Sequence, residues 1–574
     1  MALGAATIFD VRSGGSDTAN GGCFDPGQTA GMNTDLTVTA GGDARIAAPV
    51  VKSASYSFVA GDVNAWLYIE SGTNWNPGWY QITSIVNTNE ATLSAAIGAG
   101  YNQVNKDPTN VTTVAGVATV QTPTAGTWTI DYSQQNGAQV TYTDLASAGA
   151  GLVATSVAHP FGKQQVGNAL QITGGTNFNT GIYVLASVAA GAGTFVGAGN
   201  MESGIGASGT GGLGGAFATP GKAGGFKVAG NDVLWQANGT TPYNLSSASA
   251  NVAGGIVSDT TGGVDQTNPT WWVGWNTVRT LYNTDATWPI LNANAQTTLT
   301  LISFIGAYTR ARNIVVDGNS KASLTGLNQN ANYSKIDNIK AQNCTVIGID
   351  FQGGNCVSGI ALSATTCSGT AGIRVGNSGT NANALACESY ANTTHGFQMQ
   401  NNSLAIGCIS SANSGGSSQG FNGGSVGYNC FSCVAYNNGA EGFDCSNSIG
   451  NILLVNCIAE ANLASGYKTG AVRGLVKLLN CGGYNNTGGN FTTTNLLDVL
   501  NFITNTTGTF FTNPGSGDFS LNNTANQGAL ARAAGFPGVM PRGTTTGYLD
   551  VGAVQHADPA GAAGMLFIPN LDGV

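Results

Sequence analysis

The chain has 574 residues, room for two to four domains and a sizeable core. Only 8% of them are charged, 42% are apolar and 86 are glycine, which argues against disorder and for an all-β protein dense in tight turns. The net charge of −9, with no basic stripe to displace counterions, argues against a nucleic-acid partner.

The opening stretch, "MALGAATIFDVRSGG", lacks a basic n-region and its apolar run is short, so a secretory signal is not expected. No run of 18 apolar residues exists anywhere, so no membrane span is expected either. The expectation is synthesis in a host cytoplasm and release by another route. Residues 1–30 read as an attachment segment.

A duplication follows. "YSFVAGDVNAWLYIESGTNWNPGWYQI" (56–82) aligns without gaps to "HPFGKQQVGNALQITGGTNFNTGIYVL" (159–185) at an offset of 103. Phe58 matches Phe161, Gly72 matches Gly175, Tyr80 matches Tyr183, and Trp75 stands where the second copy has Phe178. Strand-like runs flank a Gly-Thr-Asn turn in both, which predicts a hairpin in each of two small β-modules, 31–125 and 126–213.

From 214 to about 505 the pattern changes. Cysteines at 344, 367, 387, 408, 433, 457 and 481 are 20 to 25 residues apart, the length of one coil of a parallel β-solenoid. They are expected to stack as small hydrophobes in one inward column, as free buried thiols. Five residues after a cysteine lie Asn392, Asn413, Asn438, Asn462 and Asn486, suited to αL turns and to bonding from coil to coil. Phe397, Phe421, Phe443, Tyr467 and Phe491 read as core aromatics of a second strand. At roughly 23 residues per coil the solenoid would have about twelve coils and be about 60 Å long. Alternation turns Tyr390, Ser411, Tyr436, Glu460 and Tyr484 outward, which makes Tyr390, Tyr436 and Tyr484 candidate contacts for a glycan or a neighbouring subunit.

These coils resemble the right-handed parallel β-helix of the pectate-lyase-like superfamily, which includes bacteriophage tailspikes and other virion proteins. "GGAFATPGKAGGFKVAGNDVLWQA" (214–237) resembles the entry to such a helix, a short helical cap and a first strand. "GDFSLNN" (517–523) and "GYLDVGAVQ" (547–555) resemble its closure, in a C-terminal segment and tail, 506–574. The opening "FDVRSGGSDTANGGCFDP" (9–26) and the Gly-Thr-Asn modules look like parts of phage structural proteins. The resemblance implies a virion-surface protein, either capsid decoration or a tailspike or fibre. It also implies a homotrimer, virion partners and contact with host glycans.

Sites for chemistry are sparse. The three histidines, 159, 395 and 556, lie in different segments, and neither a Ser-His-Asp triad nor a zinc site can be assembled from them. Gly209-x-Gly211-x-x-Gly214 fits a dinucleotide fingerprint but follows no clear strand, so no cofactor is expected. Lyases of the superfamily use a calcium-binding acidic cluster with a basic proton acceptor, and hydrolases use paired carboxylates. The nearest acidic pair here, Glu441 and Asp444, has an odd separation that places it on opposite faces of a continuous strand. No catalytic, cofactor or metal residue is therefore expected. The competing reading is a polysaccharide-degrading lyase or glycoside hydrolase on the same fold.

Overall fold

In the computed structural model the described residues are 8–13, 23–24, 33–39, 49–58, 62–63, 66–73, 75, 78–94, 124–131, 140–147, 151–159, 161, 169–189, 192–197, 200–214, 216–227, 229–244, 257–275, 288–297, 299–351, 358–376, 382–424, 427–446, 450–470, 475–493, 497–532, 534–535 and 550–555. The tail from 556, with His556, lies outside them. The chain divides into two compact units, one of 1–243, 247–251 and 261–290, the other of 244–246, 252–260 and 291–574.

The first unit holds the duplication as two closed six-stranded barrels. Strands Asn33–Val38, Val50–Lys52, Trp66–Thr73, Gly78–Asn87, Glu90–Leu93 and Thr124–Asp131 form one; Val140–Ser147, Val153–Thr155, Ala169–Phe178, Gly181–Ala189, Ala192–Gly197 and Glu202–Leu213 form the other, in the same strand order. The expected hairpins are present, with Ile69 opposite Gly78 and Ile172 opposite Gly181. Thr124–Asp131 closes the first barrel, so the boundary between modules falls after 131 rather than at 125. Each barrel buries the same set of side chains, Leu36, Phe58, Leu67, Ile69 and Tyr80 in one, Leu145, Phe161, Leu170, Ile172 and Tyr183 in the other. An aspartate anchors the loop before the aromatic in both. Asp35 accepts bonds from the Ser53 hydroxyl and the Ala54 and Ser55 amides. Asp144 does the same for Ser156, Val157 and Ala158. Gly209 and Gly211 of the nominal fingerprint lie in the last barrel strand, where a Cβ on Gly211 would fall 2.2 Å from the Gln171 carbonyl, and Gly214 follows its end at φ 66°. They are packing residues.

The short helix Pro220–Phe226 and the strand Asp232–Gln236 appear where the sequence placed the helical cap. That strand pairs in parallel with Ile8–Val11 on one side and Thr270–Trp275 on the other. Residues 8–11 of the expected attachment segment are thus a rung of the sheet.

The second unit is a right-handed parallel β-helix, wound in the sense that parallel crossovers adopt. From Ser358 to Thr492 each coil contributes three short strands, here called strips one, two and three, whereas in the preceding coils one long strand, Thr309–Asp317 or Lys335–Gln342, spans strips one and two; one coil has Asn429–Phe431, Val434–Tyr436 and Phe443–Cys445. Strip three runs through ten described strands, from Val257–Asp259 to Phe491–Thr492. That is fewer than the twelve coils expected, because the early coils are longer: Asp259 and Phe304 are register partners 45 residues apart.

Sharp corners join strip one to strip two and strip two to strip three, each made by one residue in the left-handed region. In the same coil these are Ser432 and Asn437, both at φ 50°. The residue after each corner points inward. After the first corner come Cys387, Cys408, Cys433, Cys457 and Cys481; after the second come Asn392, Asn413, Asn438, Asn462 and Asn486, all buried. The asparagines bond from coil to coil as expected, but from the position after the αL residue rather than from it.

The single seven-cysteine column is corrected. Ser363 pairs with Glu388, so Cys367 lies over Asn392, and Cys344 lies over Cys367 in turn. Cys344 and Cys367 therefore head the asparagine column, while Leu362 heads the cysteine column. The 20-residue spacing from 367 to 387 is a change of column, not a short coil. Nine cysteines, all in the solenoid coils, are unbridged and buried. The seven cysteines of the repeat donate to backbone carbonyls, as Cys433 does to Phe431 at 3.4 Å. Burial pushes Cys430 and Cys445 up to about 12, so these thiols stay protonated.

Candidate functional site

Strip three carries a row of charged and polar side chains, and its core side explains their alignment. Phe397, Phe421, Phe443 and Tyr467 stack inward with ring centroids 4.8, 4.8 and 5.2 Å apart and planes within 5°. The glycine before each ring is obligatory: a Cβ on Gly442 would lie 2.7 Å from the Gly466 carbonyl and 2.8 Å from the Asn462 amide nitrogen. With the rings fixed inward, alternation turns the next residue of every coil outward. Register pairing lines up Asp350, Arg374, Gln398, Asn422, Asp444 and Lys468 in one row. Two residues before each ring, His395, Gln419 and Glu441 make a second row beside it.

The rows are tied together. Arg374 grips Asp350 through two nitrogens, its Nε lying 2.7 Å from Oδ1. Lys468 Nζ lies 2.8 Å from Glu441 and 3.5 Å from Asp444. The Gln419 amide donates to both of those carboxylates at 3.2 Å. Burial lowers the pKa of Lys468, but Glu441 and Asp444 outweigh it and hold the ammonium above its ordinary value. Burial pushes His395 below its ordinary value, against the opposing pull of Asp444, Gln419 and Glu441. Its imidazole is therefore neutral near pH 7, and its Nδ1 has no hydrogen-bond partner among the described residues. Gln398 Oε1, in the neighbouring row, is likewise buried without a partner there. The cluster thus holds buried, unpartnered acceptors beside paired charges.

Glu441 and Asp444 correct the sequence reading. They lie on one face because Glu441 precedes a bend at Gly442 and is not in the strand. The alternation rule applied to an unbroken strand gave the wrong side. Sequence reasoning also missed Gln419, Lys468 and the Asp350–Arg374 pair. Their signal was positional, one residue after or two before the repeated aromatic, and their identities change from coil to coil.

The three tyrosines are separated. Tyr436 packs edge-on against Phe511 and Phe519 of the closing segment, at 6.2 and 5.6 Å. Tyr484 packs against the same cluster. Their outward faces, assigned from sequence to a glycan or a subunit, are partly taken by the chain's own fold-back. Tyr390 is half-buried and outside that cluster. No group of three or more His, Cys, Asp or Glu side chains able to hold a metal occurs among the described residues, and no described helix is long and apolar enough to cross a membrane.

No family model matches the chain. No curated protein matches it either. Among solved structures it is similar to pectate lyase Pel9A, at 13% identity and a TM-score of 0.40, over 58% of this chain and 90% of that one. It is similar to ORF18 of Geobacillus virus E2 at 12% identity and a TM-score of 0.35, over 48% of this chain and 54% of that one. A third similarity is to the A-module of the Azotobacter vinelandii mannuronan C-5 epimerase AlgE4, at 15% identity and a TM-score of 0.34, over 45% and 70% of the two chains.

Proposed function

We propose that the protein is a structural rod of a bacteriophage particle surface and that strip three is the face on which it holds an extended glycan. The observation that carries this reading is the row from Asp350 to Lys468, one polar side chain per coil in parallel register. Coils repeat about every 4.8 Å, so the row offers donors and acceptors at the pitch of a linear, hydroxyl-rich polymer. Its charges are already paired, so a neutral or weakly charged chain can lie along it without displacing them.

Placement on a virion rests on the two barrels ahead of the rod and on their resemblance in sequence to phage structural modules. Assembly as a homotrimer belongs to the same proposal, because a face with few charges raises little repulsion between copies. Light scattering at micromolar concentration is expected to give a trimer mass, and a monomer mass counts against it. Electron microscopy of particles carrying labelled protein tests the placement. Label on capsids or tails supports it, and label found only in the culture supernatant rejects it.

Glycan binding is tested by titration against bacterial surface polysaccharides with Asn422→Ala and Lys468→Ala. Binding that both variants weaken at least ten-fold supports strip three, and unchanged binding removes it. A polysaccharide-cleaving enzyme is the second reading, favoured by the approach of Glu441, Asp444 and Lys468. Cleavage of an acidic or neutral polysaccharide that is lost in Glu441→Gln or Asp444→Asn would replace the first reading with the second.

A further inference from the structure

The outward face of strip two is apolar over several coils. Ile409, Val434 and Ile458 line it, with Tyr436 and Tyr484 beside them. The closing segment lies over this face. The hairpin Phe511–Asn513 and Asp518–Leu521, with Phe510, Ala531 and Val551, covers it in one buried cluster. The segment is not a strand of the solenoid. Its polar attachments are at corners and side chains: Gly552 N–H to the Asn456 carbonyl at 2.7 Å, and Asn480 Nδ2 to the Ala534 carbonyl at 3.0 Å. A third attachment lies under the cluster, where Glu460 accepts the Phe510 N–H at 2.9 Å.

Glu460 is out of place there. It points outward from strip two, yet it is only 2% exposed, because the closing segment covers it. The residues at its position in the flanking coils are Tyr436 and Tyr484. From the closing segment Thr509 and the Phe510 backbone face it. Among the described residues of that segment the charged groups are Asp518, Arg532 and Asp550; Arg532 is engaged with the Leu521 carbonyl, and Asp518 with Ser520. With no cation beside it among the described residues, a carboxyl under an apolar cover favours its protonated form.

We propose that the closing segment is a detachable strap and that Glu460 is its catch: the strap lies closed while Glu460 carries a proton and comes away from strip two when Glu460 ionises.

The direction follows from linkage. Burial, opposed by Thr509 and Phe510, raises Glu460 from 4.5 to about 7 in the closed form. A raised pKa means that the closed form binds the proton more tightly than the open form does. Closure is therefore fully favoured below the open-form pKa and is weakened as pH rises through about 7. With an ordinary carboxyl in the open form, the open-to-closed ratio rises about ten-fold between pH 6 and pH 8. Release bares Ile409, Val434, Ile458 and both tyrosines, a face that closure keeps from water.

Hydrogen exchange by mass spectrometry on the full chain reads this segment by segment. After correction for intrinsic rates, amides of 509–531 are expected to lose about ten-fold protection from pH 6 to pH 8, while coils 395–445 keep theirs. In Glu460→Gln the segment should stay protected at both pH values. Unchanged protection of the wild-type segment across that range overturns the proposal, and so does the same pH dependence in Glu460→Gln. If the variant does not fold, the wild-type profile decides alone, since a protection midpoint more than about one unit from 7 also overturns it.

Discussion

Replacing Asn438 by alanine probes the ladder at its centre. Its amide nitrogen donates to Asn462 Oδ1 at 2.9 Å and to the Ser410 carbonyl at 3.3 Å. Its Oδ1 receives the Asn413 amide at 2.7 Å and the Asn413 backbone N–H at 3.4 Å. Alanine removes all four. The Asn413 side chain keeps Ser410 Oγ at 3.0 Å, and Asn462 Oδ1 keeps the residue-438 backbone N–H at 3.1 Å. The Asn413 N–H loses its acceptor in a site that is 0% exposed. The two short amide bonds are worth about 1 kcal/mol each and the orphaned buried donor costs about 1–3 kcal/mol, so the expected loss is about 3–5 kcal/mol. Asn438→Asp should do no better, because it cannot donate to Asn462 and sets two acceptors face to face. Denaturant unfolding followed by tyrosine fluorescence measures the change. A loss below about 1 kcal/mol for Asn438→Ala would show that the ladder is filler, and the reasoning from its bonds would fall.

Three further outcomes are expected. Thiol titration of denatured, unreduced protein should count at least nine free thiols, and Cys433→Ser should cost about 1–3 kcal/mol in the same unfolding assay, since a shorter hydroxyl must find the carbonyls that the thiol reaches. Gln329 is 0% exposed, lies between Phe304 and Phe351 in register, and has neither amide atom bonded among the described residues; Gln329→Leu should raise the melting temperature, and a lowered one would point to a partner there. Arg374→Met leaves Asp350, 1% exposed, without its guanidinium, and should cost about 3–5 kcal/mol, whereas Lys477→Met on the exposed face of strip one should stay within about 0.5 kcal/mol.

The parts legible in the sequence were those with a short repeat. Phe397, Phe443 and Tyr467 recur at a constant distance because each ring must stack on the last, and that constraint is written once per coil. The asparagine ladder was legible for the same reason. Where two columns carry the same residue type, the period misleads: Cys367 and Cys387 are both small inward residues after αL corners, and only strand register separates them. The strip-three cluster was hidden differently. Arg374, Gln419, Glu441 and Lys468 share positions but not identities, and Glu441 depends on a bend that a strand rule does not contain. The covering of Tyr436 was not legible at all. It needs Phe511 and Phe519 to return from about 80 residues away, and no local pattern encodes that return.

The amides from Asn392 to Asn486 have one more consequence. From Asn392 to Asn462 each Nδ2 points to the Oδ1 of the next coil toward the C-terminus, so each coil between receives and hands on the same bond, and the row ends where Asn486 turns to Asn490 and the Ala459 carbonyl. Aligned carboxamides polarise one another, and the row has a direction but no natural length. Nothing in it counts coils. A duplicated stretch of 24 residues with its cysteine, asparagine and aromatic in place would meet above and below the surfaces it already makes. Such a rod can lengthen or shorten by whole coils through simple gene duplication or loss, while its two ends stay unchanged.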